Sequence, residues 1–448
     1  MNEDRKRRLT DLGAGPLANA LLELAFHSDT AEDLVERLIA TPQENVLRFQ
    51  AKLGAIKRPQ NFVNGREPGG FAHELVALLS DLEAGVSDPK RGAELVATFY
   101  ETDAAVFKNS DVSSDDIGYV YRFDAKELFV HYARHCPDKD WLANLVLTLN
   151  WKDGYGVRDT LIACATEYLP ESHIRAMISQ LQELADKESK DHKKRHWFYL
   201  VESLARQIKD APLFEKTRVT SLGAPSTATC MDIAQVYEAS GDAQTALSWL
   251  ERVPADDILR THERDRLLLA ILGQLGETEK QADVAWRIFG RYRSKDSLQG
   301  LLSVIGNDHR EAVTAREVDL ILGDKKFSLS DAAFLVELGR MDEAENYLFQ
   351  RIGELDGDFY GSLLPLAEAM ETAERHLVAT VVYRALLDSI LRRARAKTYP
   401  HGARYLKKLD GLAQSVSDWR GLVDHKHYRQ QLRQTHSRKA SFWTQCGN

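Results

Sequence analysis

The feature that most constrains this chain is a pattern that repeats at fixed spacing in its C-terminal half. Five positions recur, first as Ala234, Tyr237, Gly241, Ala246 and Leu250. The same spacing returns as Ala332, Leu335, Gly339, Ala344 and Leu348, and then as Ala367, Met370, Glu374, Ala379 and Tyr383. Turn positions 241, 276, 306, 339 and 374 are separated by 35, 30, 33 and 35 residues. That interval indicates stacked helix–turn–helix units.

Each position of the pattern has a physical reason. A glycine such as Gly241 ends the first helix in a left-handed conformation that costs least without a Cβ. Alanines allow the two helices of a hairpin to approach closely, and the large apolar residue fills the space to the next hairpin. Since one unit buries only part of its apolar face, the units have to stack. Two copies are irregular, with Ala282 slipped by one position after Gly276 and a degenerate copy around Gly306.

These residues resemble tetratricopeptide (TPR) repeats over roughly residues 226–390. In the N-terminal half, the segment Asp153–Arg158, which leads into Leu161 and Ala165, resembles the turn of HEAT-type repeats. The best candidate for a strand, Gly118–Phe123, is short. The predicted fold is therefore all-α. It is a two-part α-solenoid of antiparallel helical hairpins, HEAT-like in its N-terminal half and TPR-like in its C-terminal half.

Three parts are expected: a helical domain over residues 1–210, TPR-like repeats over 211–390 and a basic helical cap over 391–448. The first boundary is placed in Lys209–Thr227, which contains Pro212, Gly223 and Pro225 and is interpreted as a loop.

The whole chain is also similar to an uncharacterised bacterial family known as a domain of unknown function. The similarity is carried by Cys230–Pro254, Ser328–Ala344, Asp358–Ala369, Val382–Leu391, Tyr405–Leu409 and Ser441–Trp443. Helical regions of this kind resemble those beside SWIM-type zinc fingers, although the Cys-x-Cys and Cys-x-His pattern of the finger does not occur here. The resemblance implies no activity, metal or DNA role.

The composition is typical of a folded globular protein and not of a membrane-spanning one. Hydrophobic residues make up 44% and charged residues 28%, which is typical of folded globular proteins. No apolar run approaches the roughly 18 residues of a membrane span. The four cysteines, Cys136, Cys164, Cys230 and Cys446, do not form a CxxC motif. We therefore expect a cytoplasmic protein with no membrane association.

Motifs that carry catalysis or cofactor binding are scarce. Gly13–Ala18 matches GxGxxA, but the charged residues before it cannot form the buried strand that a dinucleotide site needs. His425, His427, His436 and Cys446 lack the i, i+4 spacing of helical metal ligands. The sequence therefore predicts a non-enzymatic protein with no cofactor.

Charge is distributed unequally along the chain. Residues 384–448 contain fourteen Lys and Arg against four Asp, so they carry +10 while residues 1–383 carry −18 of the total −8. Aromatic residues lie among these cations, a composition that suits phosphate contact and base stacking. The candidate anion or nucleic-acid patch consists of Arg392, Arg393, Arg395, Lys397, Arg404, Lys407, Lys408, Arg429 and Arg433. A solenoid cap that buries Trp419, Phe442 and Trp443 explains the same residues, and both interpretations stay open.

The TPR resemblance implies that the first helix of each hairpin lines a ligand groove. The matching positions here are Gln235, Glu238, Gln274, Glu337, Glu368 and Glu371. Because this set is acidic or neutral, a basic protein or peptide is the expected partner. The primary hypothesis is thus a protein-interaction scaffold, and the alternative is a nucleic-acid-binding protein that uses the C-terminal patch.

Overall fold

Helices dominate the structure. The computed structural model describes residues 2–57, 68–109, 115–254, 257–258 and 260–446, and no strand occurs within those ranges. Helices make up 79% of the structure, and consecutive helices pack against each other. The predicted all-α helical-repeat fold is confirmed.

Contacts divide the chain into two compact units, Met1–Asp256 and Asp257–Asn448. The predicted boundaries at 210/211 and 390/391 stay predictions. The helices of the first unit are α1 Asn2–Asp11, α2 Ala14–His27, α3 Asp29–Ile39, α4 Pro42–Ile56, α5 Pro68–Gly85, α6 Pro89–Tyr100, α7 Asp103–Asn109, α8 Asp115–Tyr119, α9 Ala125–His135, α10 Lys139–Trp151, α11 Asp159–Ile162, α12 Glu171–Lys187, α13 Asp191–Gln207, α14 Ala211–Leu222, α15 Thr227–Ser240 and α16 Ala243–Leu250.

The helices of the second unit are α17 Thr261–Leu275, α18 Thr278–Arg291, α19 Lys295–Ile305, α20 Arg310–Gly323, α21 Leu329–Glu337, α22 Met341–Gln350, α23 Tyr360–Thr372, α24 His376–Arg393, α25 Tyr399–Leu412, α26 His425–Thr435 and α27 Ala440–Gln445. Neighbours pack as hairpins, among them α17 with α18, α21 with α22 and α23 with α24. In the first unit, α12 pairs with α13 and α15 with α16 in the same way.

Backbone conformation bears out the glycine positions of the repeat. Gly241, Gly276 and Gly339 have φ of 90°, 70° and 73°, and Glu374 takes the same left-handed region with φ of 60°. Gly306 differs, since its φ of 104° and ψ of 141° lead into a short 3₁₀ turn instead of a left-handed cap. The post-turn alanines Ala246, Ala344 and Ala379 are fully buried, as close packing within a hairpin requires.

Two local predictions were wrong. Gly118–Phe123 is helical, because α8 runs directly into a π-helical turn, Val120–Asp124. The ring centroids of Tyr119 and Phe123 lie 4.5 Å apart, because residues four apart are neighbours on one side of a helix. Lys209–Thr227 contains α14, for which Pro212 is harmless because a proline in the first turn loses no helical hydrogen bond.

The turn Asp153–Arg158, for which the sequence predicts a HEAT-like repeat, is organised by a carboxylate and a buried guanidinium. One oxygen of Asp153 accepts hydrogen bonds from the backbone N–H groups of Tyr155 and Gly156, and the other accepts from Arg158 N, all at 2.9 Å. The Arg158 side chain in turn donates to Asp103 at 2.7 and 2.8 Å. The turn is thereby fixed to the helix α7 that begins at Asp103.

The C-terminal helices belong to the core of the second unit. Tyr405, Tyr428 and Phe442 are buried together with residues of α21–α24. Helix α25 approaches this core closely, since a Cβ on Gly402 would lie 3.1 Å from the ring of Phe442. Trp419 and Trp443 are half-buried. The aromatic side chains thus pack against the helical hairpins, as a cap would.

Candidate interaction surfaces

Several cations of the predicted C-terminal patch are bound to carboxylates of the second unit. Arg392 and Arg393 lie 3.0 and 3.6 Å from Asp358. The pKa of Asp358 lies below its ordinary value, because the Ser389 hydroxyl and these arginines stabilise its charged form. Arg429 contacts Asp410 at 2.8 Å. Arg429 thus joins α26 to α25, whereas Arg392 and Arg393 join α24 to the segment before α23, and the paired carboxylates offset part of their positive charge.

The remaining cations of the patch differ in their surroundings, and Lys408 is bound to the carboxylate of Glu371. Arg433 lies over the ring of Trp443 at 5.1 Å. Arg395, Lys397, Arg404 and Lys407 are exposed, and none has a carboxylate within salt-bridge distance in the described part of the chain. Lys397 precedes α25, on which Arg404 and Lys407 lie three residues apart. We call these four residues the α25 basic surface.

The six predicted groove residues fall in both units and have different surroundings. In the first unit, Gln235 is exposed and accepts a hydrogen bond from Arg206 at 3.3 Å, while Glu238 is half-buried. In the second unit, Gln274 is exposed. Glu337 accepts a hydrogen bond at 2.7 Å from the backbone N–H of Lys295, at the start of α19. Glu337 therefore holds two helices together as well as facing solvent.

Glu371 is engaged within the second unit. It accepts hydrogen bonds from Tyr383 at 2.8 Å and from Lys408 at 2.6 and 2.8 Å. Burial by itself would raise the pKa of Glu371, but the hydrogen bonds from Lys408 and Tyr383 outweigh it and lower the pKa below its ordinary value. A residue predicted for the groove is thus neutralised by one predicted for the basic patch.

Glu368 has a different environment. It is exposed, and no cation lies within salt-bridge distance of it among the residues that the structure describes. On α23 it follows Tyr360 and Leu364 at intervals of four residues, which places the three on one side of the helix. Tyr360 is 65% exposed and Leu364 is half-buried. We call this apolar and acidic line the α23 face.

Sequence reasoning missed a half-open cleft in the first unit. Its volume is about 350 Å³, and its lining residues are Lys126, Glu127, Val130, His131, Arg134, His135 and Glu167. Six of them form an i, i+1, i+4, i+5, i+8, i+9 stripe along α9, a pattern visible in the sequence. Arg134 forms an ion pair with Glu167 at the cleft wall. The cleft therefore mixes both signs of charge.

The described residues meet the requirements of neither a metal site nor a membrane-spanning helix. Within the described ranges, no three His, Cys, Asp or Glu side chains come together in a way that could hold a metal ion. His425 and His427 instead contact Asp410 and Asp424 at 2.6 and 2.7 Å. No helix in the described part of the chain is both long and apolar enough to cross a membrane.

Comparison with protein families adds a further observation. The model of a family of unknown function, DUF6880, matches residues 4–223 and residues 215–445. The chain belongs to DUF6880. None of the curated proteins that were compared matches it. Membership of a family of unknown function was predicted from the sequence and is confirmed, whereas the likeness to helical regions beside SWIM fingers stays a prediction. Since DUF6880 has no assigned activity, a functional proposal for this chain depends on its own surfaces.

Proposed function

We propose that this protein is a non-enzymatic helical-repeat scaffold that binds a basic segment of another protein on the α23 face. One observation carries the proposal: Glu368 is an exposed carboxylate in line with an exposed Tyr360 and a half-buried Leu364. A repeat fold presents such helix faces as continuous binding surfaces.

The α23 face offers both affinity and selectivity. An exposed ion pair contributes only about 0–1 kcal/mol, so Glu368 alone would select a Lys or Arg without holding it firmly. Tyrosine is enriched among the residues that dominate interface energies, because its ring buries much area with few rotamers. A ligand segment with a cation beside an apolar side chain fits Glu368 and Tyr360 together.

Selection of a phage-displayed random peptide library on the immobilised full-length protein tests the proposal. Peptides with Lys or Arg next to an apolar residue should be enriched. Calorimetry with a selected peptide should show Glu368→Lys and Tyr360→Ala each raising the Kd by at least about tenfold, or about 1.4 kcal/mol. The matched control is Glu311→Lys, at an exposed acidic position on α20, which should leave the Kd unchanged. Equal binding by all variants would overturn the proposal.

A second candidate function, nucleic-acid binding, is favoured by the α25 basic surface. Four exposed cations without carboxylate partners in the described residues are available for phosphates. If the four cations contact four phosphates of a single-stranded nucleic acid, the logarithm of the binding constant should fall with the logarithm of the salt concentration with a slope of about −2.8.

Fluorescence anisotropy with a labelled single-stranded oligonucleotide at several salt concentrations measures that slope. The triple variant Lys397→Glu, Arg404→Glu, Lys407→Glu should lose binding at low salt, whereas the control Lys325→Glu, at an exposed position in the same unit, should retain it. If the unaltered protein shows no binding at low salt, this second function is excluded.

A further inference from the structure

The half-open cleft of the first unit, which we call the α9 cleft, takes almost all of its lining from one helix. Six of its seven lining residues belong to α9, and Glu167 supplies the seventh. From Lys126 to His135 the lining runs about 13 Å along the helix, at a rise of about 1.5 Å per residue. The volume of about 350 Å³ lies at the lower end of the range for small-molecule sites. The size of the cleft therefore suits a small ligand.

The charged side chains of the α9 cleft fall into two groups. Arg134 forms an ion pair with Glu167, so these two charges offset each other within the protein. Lys126 and Glu127 are different, because neither has an oppositely charged group within salt-bridge distance in the part of the chain that the structure describes. The two residues are adjacent in the first turn of α9, and both line the cleft. One end of the cleft thus offers an unpaired cation and an unpaired carboxylate together.

A second carboxylate adds negative charge beside Glu127. Asp124 lies three residues earlier, at the end of the π-helical turn that leads into α9. Burial, together with the charge of Glu127, raises the pKa of Asp124 above its ordinary value. Among the described residues, no cation lies within salt-bridge distance of Asp124. A positively charged ligand group at Glu127 would relieve this repulsion, and π-helical turns are frequent at functional sites.

The middle of the α9 cleft leaves room for a further part of the ligand. One turn beyond Lys126 and Glu127 lie Val130, which is buried and apolar, and His131, which is exposed. The rings of His131 and His135 lie 6.0 Å apart in an edge-to-face arrangement. An imidazole can donate or accept a hydrogen bond. This part of the cleft therefore accepts both apolar and polar groups.

We propose that the α9 cleft binds a free α-amino acid. Lys126 Nζ donates to the α-carboxylate of the ligand, Glu127 accepts from its α-ammonium group, and the ligand side chain lies over Val130. Both charges of the ligand are then paired with opposite charges at one end of the cleft. Inorganic phosphate fits less well, because the carboxylates of Glu127 and Asp124 would repel it. The proposal does not depend on the α23 face, which belongs to the second unit.

Saturation-transfer difference NMR of the full-length protein with pools of the common amino acids tests for the ligand. At least one amino acid should give a signal, and its derivatives with a blocked α-amino group or an amidated α-carboxylate should give a much weaker one. If no amino acid gives a signal, the proposal is overturned. Binding of inorganic phosphate that Lys126→Met abolishes would then assign the cleft to an anion.

Calorimetry with the amino acid found in this way tests the two contacts. Lys126→Met and Glu127→Gln should each raise the Kd by at least about tenfold, whereas Lys126→Arg keeps the charge and should keep most of the affinity. The matched controls are Lys216→Met and Glu32→Gln, at exposed positions outside the cleft, and they should leave the Kd unchanged. Circular dichroism should show an unchanged fold, since Lys126 is half-buried and Glu127 is exposed. Equal binding by all variants would overturn the proposal.

Blocked derivatives of the same amino acid assign each contact. The amidated derivative should bind the unaltered protein at least about tenfold more weakly than the free amino acid, but it should lose little further affinity in Lys126→Met, where the cation is already absent. The N-acetylated derivative should behave in the same way with Glu127→Gln. If each derivative loses the same factor in every variant, the proposed pairing is wrong.

Discussion

Lys408 on α25 lies 2.6 Å from a carboxylate oxygen of Glu371 on α23, and the hydroxyl of Tyr383 binds the same carboxylate at 2.8 Å. This contact joins the C-terminal basic region to the helical hairpins of the second unit. Because the two side chains bind each other, Glu371 is not available in the predicted groove and Lys408 is not available in the predicted basic patch. What remains for ligands is Glu368 on one helix and the α25 basic surface on the other.

Glu371→Gln should destabilise the protein at neutral pH by about 1–3 kcal/mol, because hydrogen bonds to a charged group are lost. The pKa of Glu371 is lowered in the folded state, so its charge stabilises the fold above the unfolded pKa of about 4.3. That stabilisation disappears as the pH falls through the lower folded pKa. Urea unfolding of both proteins should therefore show a difference at pH 7 that vanishes in acid. A difference that is independent of pH would contradict this role.

Arg158→Met should cost about 3–5 kcal/mol, because it leaves the buried charge of Asp103 without a partner. Only 3% of the Arg158 side chain and 1% of the Asp103 side chain are exposed. Replacing both, with Asp103→Ala added, should cost less than the sum of the single changes. The matched control is Arg91→Met, whose ion pair with Glu94 is exposed and should contribute at most about 1 kcal/mol. Denaturant midpoints measure all four variants.

Glu374→Gly should stabilise the protein by up to about 1 kcal/mol. Glu374 occupies the left-handed turn with φ of 60°, where a residue with a Cβ is strained and glycine is not. The reverse exchange, Gly339→Glu, places a side chain at φ of 73° in an equivalent turn and should destabilise by a similar amount. Thermal melts of the two variants should move in opposite directions; movement in the same direction would refute the equivalence of the turns.

Ala344→Leu should destabilise the second unit by about 1–3 kcal/mol through overpacking. Ala344 is fully buried after the turn between α21 and α22, so three additional carbons cannot be accommodated without displacing the neighbouring helix. Ala312→Leu, at an exposed position of α20, is the control and should change stability by no more than about 0.5 kcal/mol. Equal melting of Ala344→Leu and the parent would show that the repeat register is wrong.

The sequence by itself determined the helical class, the repeat interval and the character of its turns. These features depend on local chemistry: Gly241 and Gly339 accept a positive φ, and Ala246 and Ala344 allow two adjacent helices to meet. The same local reasoning failed at Lys209–Thr227, because Pro212 is compatible with a first helical turn as well as with a loop.

Only the tertiary structure decided which charged side chains remain available to a partner. Nothing in the sequence distinguishes Arg392, which contacts Asp358, from Arg395, which is exposed, or Glu371 from Glu368. The pairing of Lys408 with Glu371 spans 37 residues, and it depends on how α25 packs against α23 and α24. The positions of helices and turns can be predicted from residues that are close in the sequence. Ion pairs between distant helices depend on how those helices pack, and the spacing of residues along the chain does not predict that packing.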